Sequence, residues 1–148
     1  MTEYAGYLAT LAWLTTAPST YTTIGQVRDI NGPGTTADQI EVSHRDSVWR
    51  QYRAGMRDGG ELTFDIVFDP DLASHDPTLS TSIYAALEDG TVQTFKITYP
   101  GAAGATSTAV FDGFVSGFEL SNPMEDAQTA SMTIKITDAI TWAHVAAP

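Results

Sequence analysis

Polar and apolar positions alternate with a period of two along much of this chain. The alternation stops at clusters of Gly, Pro, Asn and Asp. In Glu61–Phe68 the apolar Leu62, Phe64, Ile66 and Phe68 take turns with Glu61, Thr63, Asp65 and Val67. That is the signature of a half-buried strand, because successive side chains point to opposite faces. Asp69-Pro70-Asp71 stops it. Thr91–Tyr99 repeats the pattern with Phe95, Ile97 and Tyr99 against Thr94, Lys96 and Thr98. Val110–Leu120 places Phe114, Phe118 and Leu120 in register, and Gly113 and Gly117 predict a bulge or bend within it. After the turn Asn122-Pro123, Thr129–Thr137 sends Ala130, Met132, Ile134 and Ile136 inward and Ser131, Thr133 and Lys135 outward. Two further strands are predicted at Thr23–Ile30, which ends in Asn31-Gly32-Pro33-Gly34, and at the short Gln39–Ser43.

One stretch has a helical period instead. Leu79, Ile83 and Leu87 recur every four residues. Asp76 stands where an N-cap would be, Pro77 fits the first turn, and Asp89-Gly90 closes the C-terminus, which predicts a helix over 76–89. Six strands and one helix give an α+β chain, mainly β: two packed antiparallel sheets, as a sandwich or partial barrel, flanked by the helix. The expected division is an N-terminal arm at 1–22, bearing Tyr4, Tyr7 and Trp13, a β-sandwich domain at 23–137, and a C-terminal tail at 138–148. The expected core is Leu62, Phe64, Ile66, Phe68, Phe95, Ile97, Met132, Ile134 and Ile136.

Charge narrows the function. Eighteen acidic residues against seven basic ones give a formal net charge of −11. Nucleic-acid binders neutralise phosphates with clustered Lys and Arg, so this balance argues against tight DNA or RNA binding. With 0 Cys the chain has no disulfide or thiolate metal site. The apolar run Tyr4–Leu14 is shorter than the roughly 20 residues needed to span a bilayer, and it lacks the basic start of a signal peptide.

Candidate chemistry is sparse. His44, His75 and His144 fall in no catalytic motif, and the sequence contains no G-x-S-x-G, H-E-x-x-H or P-loop. No enzymatic activity and no cofactor are therefore expected. Asp69, Asp71, His75 and Asp76 could be read as hard-metal ligands. An Asp-Pro-Asp turn followed by a helix cap explains each of them without an ion, so no metal site is assigned.

The distinctive segment is the connection at 44–59. It holds Arg45, Arg50, Arg53 and Arg57, four of the seven basic residues, together with Trp49 and Tyr52. Long connections inside a compact domain tend to be functional, and Trp, Tyr, Met and Arg are enriched at protein contacts. The segment reads as a long irregular loop, loosely ordered in a free monomer, whose Arg45, Trp49, Arg50, Tyr52, Arg53 and Arg57 contact a neighbouring copy. Pairing of its arginines with an acidic neighbour favours head-to-tail assembly.

These residues carry a resemblance. Ile24-Gly25-Gln26-Val27 through Ile30-Asn31-Gly32-Pro33-Gly34, then Ala37–His44, resemble the first hairpin of the major tail-tube proteins of long-tailed, siphovirus-type bacteriophages. Trp49-Arg50-Gln51-Tyr52 and Gly55–Phe64 resemble that family's long loop and next strand, while Phe68–Asp71 and Phe111–Glu119 resemble later signatures. Together they cover residues 24–69 and 108–142 in the family's order.

The resemblance implies the phage tail-tube fold, with hexameric rings stacked into a tube whose inner sheets line a channel for genomic DNA, and no catalytic residues. It implies partnership with further copies of the chain and with tail proteins such as the tape measure and tail terminator. DNA would pass without specific binding and no membrane would be engaged. The location would be the virion tail, assembled in the host cytoplasm. Alternation then assigns Glu41, Glu61, Thr63, Asp65, Glu119, Ser131, Thr133 and Lys135 to the channel wall. The competing reading is a virion β-sandwich module that binds carbohydrate or a receptor.

Overall fold

The computed structural model describes residues 9–16, 20–79, 82–101 and 104–146. Among the described residues there are ten strands: β1 (Thr10–Thr16), β2 (Thr20–Thr23), β3 (Val27–Asn31), β4 (Thr36–Glu41), β5 (Tyr52–Asp58), β6 (Glu61–Val67), β7 (Gln93–Pro100), β8 (Thr106–Ser121), β9 (Thr129–Ile136) and β10 (Thr141–Val145), with one helix, α1 (Ile83–Asp89). Eight strands form one antiparallel sheet in the order β2-β1-β7-β8-β9-β6-β3, with β10 paired to β8. β4 and β5 form a separate two-stranded sheet.

The long strand β8 sets this arrangement. Its first half, Thr106–Gly113, pairs with β7, and its second half, Gly113–Ser121, pairs with β9. Gly113 sits at the changeover, where an added Cβ would lie 2.7 Å from the Lys135 carbonyl oxygen. Leu11 and Trp13 on β1, and Phe95 and Ile97 on β7, share one buried cluster with Leu62, Phe64 and Ile66 on β6 and Met132 and Ile134 on β9. The two halves therefore close on each other as the two layers expected from the alternation, joined through β8. The order of pairing is open and does not close into a barrel.

Eight of the nine expected core residues are buried, and the ninth, Phe68, is partly buried against the same cluster. A bulge lies between Val115 and Gly117, where the two glycines predicted an irregularity. It shifts the phase of β8, with one consequence the alternation missed. Phe118 pairs with Met132 and faces the core, whereas Phe114 pairs with Lys135 and faces outward.

Three boundaries differ from the expectations. Residues 10–16 and 20–22 fall in the expected external arm, 1–22, yet they belong to β1 and β2 of the main sheet, with Leu11 and Trp13 buried. Leu11 pairs with Ile97 and Trp13 with Phe95, so this segment completes the apolar layer of β7. Tyr4 and Tyr7 lie outside the described residues. Thr23–Ile30 is interrupted by a turn at Gly25 and Gln26, the latter at φ 57°, which separates β2 from β3. In the expected C-terminal tail, residues 141–145 pair with β8 as β10.

The helix is shorter than its period predicted. Asp76 does not cap it, because its carboxylate accepts the Thr78 N–H (2.9 Å) and hydroxyl (2.7 Å) in a local turn. Ser82 caps it instead: its Oγ accepts from Ala85 N–H (3.2 Å) while donating to the Leu79 carbonyl (2.8 Å). Gly90, at φ 64°, ends it as expected. Ile83 and Ala86 enter the core, and Tyr84 meets Phe118 edge-on at 5.5 Å between ring centres.

The turn at 69–76 is held by His75, which is 2% exposed. Its Nδ1 accepts from Asp69 N–H (3.2 Å), so its Nε2–H donates to the Gly25 carbonyl (2.8 Å). Among the described residues no His, Cys, Asp and Glu group is arranged to hold a metal, and no helix is long and apolar enough to cross a membrane.

Phe64 is fully buried at the centre of β6. Truncation to Ala is expected to cost about 3–5 kcal/mol in denaturant unfolding, as for other buried Phe. Phe114→Ala, on the outer face, is expected to cost clearly less. A reversed order would mean that β8 sits in the wrong phase.

Candidate functional site

Register brings the polar residues of three strands onto one surface. Glu119 of β8 lies opposite Ser131 of β9, which lies opposite Asp65 of β6. The next row is Gly117, Thr133 and Thr63, and the one after it is Phe114, Lys135 and Glu61. Directly opposed residues share a face. Seven of the eight residues assigned to a channel wall therefore form one continuous outer face of the half-sheet β8-β9-β6: Glu61, Thr63, Asp65, Glu119, Ser131, Thr133 and Lys135.

Glu41 is the exception. It lies on β4, opposite Tyr52 of β5, in the separate hairpin. Alternation along β4 distinguishes the two faces of that hairpin and says nothing about the main sheet.

Two residues of this face were missed. Val27 pairs with Ile66 and Ile30 with Phe64, so both point to the core, and the irregularity between them leaves Arg28 and Asp29 exposed. They join Asp65, Glu119 and Ser131 around a shallow cleft of about 400 Å³. The phase of β3 was hidden because the turn at Gly25–Gln26 and this bulge both interrupt the alternation. The surface carries Glu61, Asp65, Glu119 and Asp29 against Arg28 and Lys135, and the Lys135 charge is engaged by Asp58 at 3.1 Å.

The second feature is the hairpin β4–β5. Its strands pair with each other and with no strand of the main sheet, and nearly every residue in them is exposed. The segment expected to be one irregular loop at 44–59 is thus half strand. Residues 52–58 pair along one edge with β4, and the true connection is 42–51. That connection is closed by its own serines. Ser43 Oγ accepts from Gln51 N–H (2.8 Å), Ser47 Oγ accepts from His44 N–H (3.1 Å), and Ser47 N–H donates to the His44 carbonyl (2.9 Å).

All six residues assigned to contacts between copies lie on this arm. Arg45, Trp49 and Arg50 are on the connection, and Tyr52, Arg53 and Arg57 are on β5. Val48 is 92% exposed, Trp49 83% and Met56 82%. Large apolar side chains concentrated on one projection, among arginines, have the composition of a contact surface.

The arm's base is fixed. Gly60, at φ 75°, packs so closely on the Gly34 carbonyl that a Cβ there would collide with it. The Gly60 carbonyl accepts from Ile136 N–H (3.1 Å), and Asp58 receives Lys135 Nζ on both oxygens. The Gly60 N–H also donates to Asp58 (2.9 Å), and this bond together with Lys135 holds the Asp58 carboxyl below its usual value of 3.8. Beside this base, Ile136, Ile140 and Trp142 line a cleft of about 420 Å³ that also borders Arg57 and Asp138.

Comparison with known proteins agrees with this geometry. The family described as lambda phage tail tube protein matches residues 6–143. No curated protein matches the chain. Among solved structures, the tail of an empty gene transfer agent particle superposes with a TM-score of 0.76 at 16% identity, over 95% of this chain and 99% of the other. The SPP1 tail tube gives 0.67 at 11% identity, over 96% and 78%. The baseplate of the anti-feeding prophage gives 0.70 at 10% identity, over 97% of each chain.

The depressed value of Asp58 makes the arm's anchor pH-dependent. A lowered folded-state pKa contributes stability that is complete above the ordinary value of 3.8 and is lost as pH falls through the lower folded value. Hydrogen exchange should show the Gly60 amide, which donates to Asp58, protected at neutral pH and exchanging faster below that range, with the core strands still protected. Asp58→Ala, which removes that acceptor, should release the same amide at neutral pH. Unchanged protection in that variant would show that Gly60 alone holds the arm.

Proposed function

This chain belongs to the lambda phage tail tube protein family and is a structural protein of the virion tail, and from that premise we propose that six copies form a ring and that stacked rings form an acidic channel for DNA. The gene transfer agent tail that it resembles was refined with C6 symmetry, and the anti-feeding prophage baseplate was six-fold symmetrised. Those symmetries support six copies per ring here.

The observation that carries the channel reading is the shared polar face of β8, β9 and β6, with β3 at its side. Its carboxylates Glu61, Asp65 and Glu119 alternate with Ser and Thr hydroxyls. Its two cations, Lys135 and Arg28, lie among Asp58, Asp29 and Asp65. Phosphates find little to hold them on such a wall. Repetition around a ring multiplies its negative charge, and a narrow bore bounded by low-dielectric walls focuses the field. DNA is then kept off the wall by repulsion and slides without sticking.

Unpaired sheet edges are a hazard in a lone subunit, and lateral pairing within a ring removes it. The arm supplies contacts between rings, and tape measure and terminator proteins act at the bore and at the end of the tube. Subunits assemble in the host cytoplasm before the tail joins the particle.

Glu61→Lys with Asp65→Lys tests the channel. The double variant is expected to form rings and tubes seen by electron microscopy, because both side chains point away from the core. DNA ejection from particles carrying it should be slowed. Ejection at the normal rate, or a structure of the tube with these side chains on its outer wall, would overturn the assignment. A chain that stays monomeric under all tail-forming conditions would favour the recognition module instead.

A further inference from the structure

The arm and a candidate receiver for it stand at opposite ends of one half-sheet. β6 and β9 pair from Glu61 with Lys135 at one end to Val67 with Thr129 at the other. The arm leaves the body at the first end, where Asp58 and Gly60 bond to β9. At the second end, residues 122–128 connect β8 to β9, and all of them are exposed. Strand β6 has 7 residues, so at 3.2–3.4 Å per residue its two ends are about 20 Å apart.

The two ends are complementary in chemistry. Met124 is 100% exposed, the most exposed large apolar side chain of the described residues, and Glu125 and Asp126 follow it directly. Leu120, 46% exposed, extends the apolar surface at the end of β8. At the arm's tip the order is reversed in sign: Val48 and Trp49 are bare, and Arg45 and Arg50 flank them, with Asp46 as the single acid between. Apolar surface meets apolar surface, and cations meet carboxylates.

A contact between different patches at opposite ends of identical copies is heterologous. It propagates in one direction instead of closing on a pair. The acidic turn at 69–76 is a poorer receiver because it carries no exposed large apolar side chain beside its acids, and two of its carboxylates are held locally. Asp69 accepts from Asp71 N–H and Gln26 Nε2, and Asp76 accepts twice from Thr78.

Resting on the tube reading above, we propose that the arm tip of one copy docks through Trp49, Arg45 and Arg50 onto the β8–β9 turn of a second copy, at Met124, Glu125 and Asp126. The contact joins one ring to the next. It also explains why Trp49 and Met124 are left in water in the single chain.

The chain has no cysteine, so one pair can be introduced cleanly. Assembled tubes of the Trp49→Cys, Met124→Cys variant are expected to give, on oxidation, a ladder of covalent multimers on a non-reducing gel. Either single variant should give at most dimers. As a second readout, Glu125→Lys with Asp126→Lys should raise the subunit concentration needed for tubes about tenfold or more, as loss of close interfacial charge pairs does. Adding Arg45→Glu and Arg50→Glu to that variant should restore assembly. Tubes that form yet give no ladder, or a lysine variant that assembles at the wild-type concentration, would overturn the docking and leave the tube reading intact. A wild-type chain that forms no tube would overturn both.

Discussion

The seven-pair register between β6 and β9 buries Leu62, Phe64 and Ile66 with Ala130, Met132 and Ile134. The same pairing turns Glu61, Thr63 and Asp65 outward beside Ser131, Thr133 and Lys135. Core and polar wall are thus two sides of one set of hydrogen bonds. A slip of one residue would exchange them, exposing the core and burying three acids or hydroxyls. Fully buried Phe64 and Ile134 make such a slip costly, and this fixes the charged face as firmly as the core. β8 extends the constraint to the other layer, since its two halves pair with β7 and β9 in turn.

The hairpin β4–β5 is set apart from that logic. It contributes nothing to the main sheet, and its large apolar residues remain in water. A single chain would do better to bury them. Their exposure makes sense when the stable state is an assembly and the missing burial comes from another copy. The anchor at Asp58, Gly60 and Lys135 gives the arm a defined root, so less ordering is left to be done on docking.

Charge divides along the same lines. Four of the seven basic residues sit on the arm, while the chain as a whole carries −11. The body therefore holds all of the net negative charge, while on the hairpin Asp38, Glu41, Asp46 and Asp58 balance the four arginines and leave it neutral. In the tube reading the acidic body repels DNA from the wall, and the arm's arginines attract acids of neighbouring copies.

The alternation in Glu61–Phe68, Thr91–Tyr99, Val110–Leu120 and Thr129–Thr137 was enough to identify the centre of the core and to orient the seven polar residues of one face, and Gly113 and Gly117 marked the bulge. Those features are legible because a strand's period is local and each strand has one buried face. Other features depended on partners distant in sequence. Leu11 and Trp13 looked like part of an arm until β7 was found beside them. Glu41 alternated correctly but on a hairpin detached from the sheet. Phe114 and Phe118 share a phase in the sequence and face opposite ways in the fold, because a bulge between them changes the count. Asp76 had the residue type of a cap, yet Thr78 took its carboxylate and Ser82 capped the helix. The sequence by itself determined which residues seek burial and with what period. The tertiary structure decided which strands they met, since pairing between distant segments is fixed by the fit of the whole core and by no local signal.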